Sequence, residues 1–353
     1  MSDLYRVAFV GTGGISRAHA KYYVDNPRTQ IVAACDIDPE KLRGFREQFE
    51  VPAGYEDCQE LLAREQPDIL SVCTWHGTHS EISIAAAEAG VRGILAEKPM
   101  GQDLGQARAM VQAAEDHGVK LAIHHQLRFA PSYVATRQAV ADGAIGTPVT
   151  LFWRTGGGML NNGCHGIDLF RWMLGDPAWT GVIGQVERTT NRYERGLPAE
   201  DKAAAIIRFE GNHELVLEVD MLGEERAATN YQLCGPEGII VADYHTATLL
   251  AGDQKGPQEL PLVPQPSPLE ELIAWLEGGP EHRNSGRRAV VTEEIMMAVY
   301  ESARLRQYVT PPFDKLSSPL VEMVQDGTLA VDEPAYDIRS EAALNYERGR
   351  GRI

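Results

Sequence analysis

Lys98 stands between Glu97 and Pro99, directly behind a short apolar run, Ile94 to Ala96. The proline restricts the backbone of the lysine before it. A lysine held over a crevice loses solvation, so its ammonium gives up a proton more readily and can act as the acceptor for an alcohol. The same lysine could equally face water. A second cluster runs Gly156-Gly157-Gly158-Met159-Leu160-Asn161-Asn162-Gly163-Cys164-His165-Gly166-Ile167-Asp168. Its glycines permit a close backbone approach, and His165 and Asp168, three apart at a helix start, share one face. His165 could hydrogen-bond a reacting oxygen while Asp168 fixes its tautomer or packs a polar contact below, or the pair could be a helix cap with a core histidine. His124 and His125 adjoin on a strand and point to opposite faces. His76 and His79 have no carboxylate or cysteine nearby to complete a metal site, so no metal is expected.

A third feature is Val7-Ala8-Phe9-Val10-Gly11-Thr12-Gly13-Gly14-Ile15-Ser16, glycines set between a strand and a helix. Gly11 permits the turn, and Gly13 lets a pyrophosphate approach the helix N-terminus that Gly14 and Ile15 open. Ser16 stands where a third Gly or Ala often supports close helix–strand packing. Asp36, ending the next strand, would accept hydrogen bonds from both adenosine-ribose hydroxyls and repel a 2′-phosphate. No Arg follows before Lys41, so NAD is expected over NADP. Thr74, Trp75, His76 and His79 follow the third strand, at the edge where an open parallel sheet binds ligands. Trp75 could wall the cofactor or belong to the core, and His79 could only cap or pack.

The elements that must position these residues begin with strands at Tyr5 to Val10, Gln30 to Cys35, Ile69 to Cys73, Ile94 to Ala96 and Lys120 to His124. Helices are expected from near Ile15 past His19, at Pro39 to Phe49, Asp57 to Glu65, His79 to Ala89 and Leu104 to Gly118. Apolar rather than alternating strands in this β-α-β rhythm predict a parallel sheet covered on both faces, an α/β, Rossmann-type domain over residues 1–125. Beyond it come a helix at Pro131 to Ala141, a strand at Pro148 to Arg154 and a helix at His165 to Leu174. Period-two strands follow at Trp179 to Thr189, Lys202 to Phe209, Glu214 to Asp220, Ala228 to Cys234 and Gly238 to Asp243. They predict an α+β domain with a largely antiparallel open sheet over residues 126–312. Pro257 to Pro268 reads as a loop and Leu269 to Leu276 as a helix. A longer helix, Arg287 to Gln307, is expected to pack back on the first domain, and residues 313–353 form a C-terminal extension.

The chain has 353 residues, enough for two cores, and Asp and Glu outnumber Lys and Arg by 50 to 33, a formal charge of -17 that argues against nucleic acid as partner. Its cysteines, Cys35, Cys58, Cys73, Cys164 and Cys234, show no CxxC pair, so neither a disulfide framework nor a zinc cluster is expected. No run of about eighteen apolar residues and no leader pattern occur, which predicts a soluble, cytoplasmic protein without a membrane partner.

On these residues the chain resembles the glucose–fructose oxidoreductase, inositol dehydrogenase and rhizopine catabolism (Gfo/Idh/MocA) family over approximately residues 4 to 312. The turn Gly11 to Ser16, Glu97-Lys98-Pro99, Arg128-Phe129 with Pro131, and the glycine run through His165 and Asp168 to Trp172 carry it. The resemblance implies an NAD(H)-dependent oxidoreductase that moves hydride to or from a secondary hydroxyl of a sugar, cyclitol or related compound, in a homodimer or homotetramer built through the second-domain sheet. It matches Lys98 and His165 to the catalytic lysine and histidine, with Asn161 beside them. Thr74 and Glu97 match cofactor contacts, joined by Trp75, His79, Lys98 and Gln126, the last beside the nicotinamide. Arg128, Trp153, Asn161, His165 and Lys98 are the expected substrate contacts. Three departures stand out. Asn161 replaces the usual aspartate and supplies no negative charge, Trp75 replaces a common proline, and the link from Gly146 to Gly156 is short. They leave two further classes open: an NAD-dependent glycosidase working by transient oxidation and elimination, and a non-catalytic dinucleotide-binding sugar sensor.

Overall fold

The computed structural model describes residues 4–220, 231–252 and 256–338. These fall into two compact units, the chain passing from one to the other after residues 126, 265 and 290.

The first unit contains six parallel strands, β1 (Tyr5–Val10), β2 (Thr29–Cys35), β3 (Ala53–Tyr55), β4 (Ile69–Val72), β5 (Gly93–Ala96) and β6 (Lys120–Ile123). Their order, β3-β2-β1-β4-β5-β6, places the reversal of winding between β1 and β4, the point at which such sheets bind ligands. Val7, Ala8, Phe9, Ile69, Leu70 and Leu95 are wholly enclosed, as strands covered on both faces require. The covering helices are α1 (Gly14–Val24), α2 (Pro39–Phe49), α3 (Cys58–Glu65), α4 (His76–Glu88) and α5 (Leu104–Asp116). Asp38, Asp57 and Asp103 cap α2, α3 and α5 with their side chains, worth about 1 kcal/mol each. Helix α4 starts three residues before the expected His79. Its cap position is Trp75, which makes no capping bond, so the sequence carries no start signal there. One face of the sheet is completed from far along the chain: Leu269, Leu272 and Ile273, on the helix Pro268–Leu276, join the core of Tyr5, Phe9, Tyr23 and Phe45.

The second unit is built on an eight-stranded sheet ordered β16-β15-β14-β13-β7-β12-β11-β8. Its strands are β7 (Thr150–Gly156), β8 (Trp179–Glu187), β11 (Lys202–Phe209), β12 (His213–Asp220), β13 (Tyr231–Gly235), β14 (Gly238–Ala242), β15 (Ala247–Ala251) and β16 (Gln258–Glu259). All pairings are antiparallel except β7 with β12. Burial alternates cleanly along β11, the sign of a sheet covered on one face. Helix α6 (Pro131–Ala141) precedes β7, and α7 (Cys164–Met173) follows it; Phe170 of α7 meets Phe209 of β11 edge-on at 5.6 Å. A small sheet of β9 (Arg192–Glu194), β10 (Leu197–Pro198) and β17 (Tyr336–Asp337), together with the helix Pro319–Gln325, has no counterpart in the sequence reading. Residues 228–230 of the strand expected at Ala228 to Cys234, and 339–353 of the extension, lie outside the described residues. Among the described residues no helix is long and apolar enough to cross a membrane.

Candidate active site

The glycine turn fills the winding-reversal point of the first unit. Gly11 has φ +88°, and a Cβ there would lie 2.7 Å from the main chain of Cys73 and Thr74 at the end of β4, so only glycine fits. Gly13 and Gly14 differ: nothing lies within 4 Å of a Cβ built on either. That clear space, at the N-terminus of a helix with no side-chain cap, is the cradle a pyrophosphate needs, and the residues fit the dinucleotide. Ser16 Oγ donates to Gly13 O at 2.6 Å, bracing the turn.

Asp36 is pinned before any ligand arrives. Its Oδ2 accepts Thr12 N–H at 2.7 Å and Thr12 O–H at 2.8 Å, and its Oδ1 accepts Asp38 N–H at 2.9 Å. The carboxylate is thereby oriented, with lone pairs left for ribose hydroxyls. Two neighbours escaped the sequence reading. Arg17 reaches back to Thr12 O at 3.3 Å and Gly13 O at 3.1 Å, placing a cation beside the turn; its position four residues past Gly13 was the available signal. Ile37 is 87% exposed, an apolar surface next to Asp36 suited to an adenine ring.

At the end of β4, Thr74 receives Thr78 O–H at 2.8 Å, and Trp75 is 46% exposed, which removes the core reading of that indole. His79 is buried, its ring nitrogens 2.9 Å from Pro99 O and 3.1 Å from Thr74 O. It ties the loop after β4 to the loop after β5. Glu97 follows β5, and its Oε2 accepts the Lys98 main-chain N–H at 3.1 Å. Its Oε1 lies 2.9 Å from His19 Nε2 and 2.7 Å from His124 Nδ1. Burial pushes the Glu97 carboxyl up, but the bonds from His124 and His19 outweigh it and hold the group well below the usual range. Burial, with the charge of His124, lowers His19 to about 4. His124 and His125 are both buried, and Gln126 opens a short 3₁₀ turn.

In the second unit, β7 runs into Gly157 and Gly158, both with positive φ, and then into a single π-helical turn, Met159–Gly163, ahead of α7. Such turns recur at functional sites. It carries the half-buried Asn161, and Cys164 and the buried His165 follow on α7. Glu200 braces this segment: its Oε1 accepts Met159 N–H at 2.6 Å and its Oε2 accepts Tyr300 O–H at 2.9 Å. No sequence signal links residues 159, 200 and 300. Trp153 lies under Gly166, where a Cβ would sit 2.8 Å from its ring, and stacks on Tyr231 at 3.6 Å. Its buried indole N–H has no partner among the described residues.

Arg128 requires correction. Expected at the substrate, it is fully enclosed and forked onto Asp168, Nε to Oδ2 at 2.7 Å and Nη2 to Oδ1 at 2.6 Å, with Asp176 at 3.5 Å. Burying a guanidinium demands such a partner, so the pair is structural, anchoring α7. Asp168 is thus committed to Arg128 and Thr292, the packing role among its two readings.

Residues 5–125 match the profile of an oxidoreductase family with an NAD-binding Rossmann fold, GFO_IDH_MocA, and residues 133–241 match the GFO/IDH/MocA C-terminal domain. The D-apiose dehydrogenase of Paraburkholderia graminis is 28% identical over 92% of this chain and 94% of its own length. The D-glucoside 3-dehydrogenase of Escherichia coli is 25% identical over 86% of this chain and 96% of its own. A levoglucosan dehydrogenase solved with NADH and levoglucosan shares the fold, with TM-score 0.77 at 20% identity over 88% of this chain and 100% of its own. Fold, cradle and matches together define an NAD-dependent oxidoreductase. The chain belongs to the Gfo/Idh/MocA family.

Proposed function

We propose that this oxidoreductase moves hydride between NAD and a secondary hydroxyl, or the corresponding ketone, of a sugar, cyclitol or sugar derivative. One observation carries the reading: Glu97 fixes the Lys98 main chain at the end of β5, on the same sheet edge as the clear space over Gly13 and Gly14. The named substrates of the relatives, apiose and glucosides, give the substrate class. Bound NAD supplies the hydride acceptor. Gly13 and Gly14 receive its pyrophosphate, Asp36 its ribose, and Thr74, Trp75 and Gln126 line its path. As the carbinol carbon loses hydride, its O–H proton passes to Lys98 Nζ, leaving the ketone; reduction returns the proton by the same route. His165 is the histidine that the family resemblance assigns to the reaction. Asn161 orients the reacting oxygen by hydrogen bonding but carries no charge. Trp153, expected at the substrate, is buried beneath Gly166 and against Tyr231 and acts through that packing.

A panel of free sugars, cyclitols and glycosides, read by NADH fluorescence, tests this. Stoichiometric NADH with a free polyol is expected. Release of a glycoside's leaving group without net NADH would assign elimination instead, and NAD binding without turnover of either class would leave a sensor.

We further infer a homo-oligomer formed through the open face of the eight-stranded sheet. Ile183, Ile206, Val216 and Phe152 stand opposite one another across β8, β11, β12 and β7. Three of them, Ile183 at 49%, Ile206 at 40% and Phe152 at 46%, are exposed. A contiguous apolar row of that kind marks an association surface.

A further inference from the structure

His19, Glu97 and His124 come from three places in the first unit: α1, the residue after β5 and the residue after β6. All are buried. His19 Nε2, His124 Nδ1 and Glu97 Oε1 form a triangle with sides of 2.9, 2.7 and 2.9 Å. Hydrogen bonds alone cannot close it. Each imidazole nitrogen offers either an N–H or a lone pair, never both, and a carboxylate oxygen only accepts, so at most two sides carry a bond. The third sets two donors, or two lone pairs, inside hydrogen-bonding distance.

We propose that His19 Nε2, His124 Nδ1 and Glu97 Oε1 bind a divalent late first-row metal ion of the zinc class. One cation takes a lone pair from each corner and removes the conflict on every side. Bonds of about 2.0–2.1 Å meeting near right angles put neighbouring ligands about 2.9 Å apart, the spacing found, so the three atoms suit one face of a six-coordinate ion; a tetrahedral ion would hold them about 3.3 Å apart. Two imidazoles and one carboxylate suit zinc, cobalt or nickel better than magnesium or calcium. A partner behind the ligand is also in place: His19 Nδ1 lies 2.8 Å from Ser71 Oγ, and donation to that hydroxyl fixes Nε2 as the lone-pair atom, as metal-bound histidines require.

The site is structural rather than substrate-facing, since its three ligands are enclosed. It would fasten the helix after the glycine turn to the ends of β5 and β6 and immobilise the carboxylate that holds Lys98. This departs from the expectation of no metal. Ligands separated by 78 and 27 residues leave no spacing motif to read.

The full chain, produced in zinc-supplemented medium and desalted, is analysed by inductively coupled plasma mass spectrometry and zinc-edge X-ray absorption. About one equivalent of zinc per chain with two imidazole shells and no sulfur is expected. Chain refolded after chelation and given Co²⁺ alone should develop visible d–d bands. His19→Asn and His124→Asn should each lose the equivalent and the bands, whereas His245→Asn, at an exposed turn, should keep both. A metal-free wild-type chain that stays colourless on refolding with Co²⁺, a sulfur shell, or retention of the ion by folded His19→Asn and His124→Asn would each overturn the site. If those variants do not fold, the wild-type metal content and absorption shells decide alone.

Discussion

On the proposed function, proton transfer falls to Lys98 and the choice of NAD over NADP to Asp36. Replacing Lys98 by Met should leave NAD binding intact and lower turnover at saturating substrate by about 10²–10⁴, the scale of general acid–base assistance; steady-state kinetics beside a fluorescence titration checks this. Asp36→Ala should reduce the preference for NAD over NADP by roughly 1–3 kcal/mol, the worth of charge-assisted bonds. It should also lower the melting temperature of the free protein, because the same carboxylate ties down Thr12. Glu200 gives a prediction in pH. Burial raises its carboxyl, against the bonds from Met159 and Tyr300. A group whose folded value exceeds its unfolded one, about 4.3, favours the fold fully below that unfolded value and loses the contribution as pH rises through the folded one. The stability of the natural chain relative to Glu200→Gln should therefore be greatest near about pH 4 and decline toward neutrality. Thermal melts of both chains across pH measure it, and a flat difference would show that folding does not change the ionisation of Glu200. Residue type and local spacing pointed to Gly11, Asp36 and Lys98, because a glycine turn behind a strand, an acidic strand end and a Glu-Lys-Pro run are visible in the chain even where their contacts, such as Gly11 with Cys73 and Asp36 with Thr12, are distant. The family resemblance placed Arg128 at the substrate, whereas its partner Asp168 lies 40 residues on, and no local pattern shows Glu200, whose partners are 41 and 100 residues away.

Among the elements, the turn from β1 into α1 separates two uses of glycine. Gly11→Ala forces a side chain into φ +88° and against the Cys73 and Thr74 main chain. It should cost at least the 1–2 kcal/mol of a left-handed residue and appear as a lower melting temperature without ligand. Gly13→Ala meets nothing and has an ordinary φ of -70°. Its free protein should melt as the natural chain does, while NAD binds about tenfold or more weakly, near 1.4 kcal/mol. Equal NAD affinities by calorimetry would show that the pyrophosphate lies elsewhere. The long elements were legible because apolar runs and capping aspartates mark them. Three- and two-residue strands such as β3, β9, β10 and β17 span too little chain for any periodicity. The π-helical turn before α7 is equally silent: its residues read as loop, and the bonds that hold it, Met159 N–H to Glu200 and Asn162 Nδ2 to Gly156 O, follow no periodicity.

For the whole molecule, the exposed row on the large sheet makes association testable. Ile206→Glu or Phe152→Glu should lower the mass by light scattering to that of one chain while leaving the melting temperature at low concentration nearly unchanged; a natural chain already monomeric would refute the interface. A different consequence follows from the helix Pro268–Leu276, whose Leu269, Leu272 and Ile273 complete the core of the first unit. During translation the six strands of that unit leave the ribosome long before their last layer is made. At about 5–20 residues per second, the nascent sheet waits on the order of ten to thirty seconds with apolar side chains uncovered. This is the window in which a chaperone would engage the growing chain. A ribosome-stalled product ending at residue 126 should therefore be protease-sensitive and chaperone-bound, and one extended beyond residue 290, with room for the exit tunnel, should have its first unit protected.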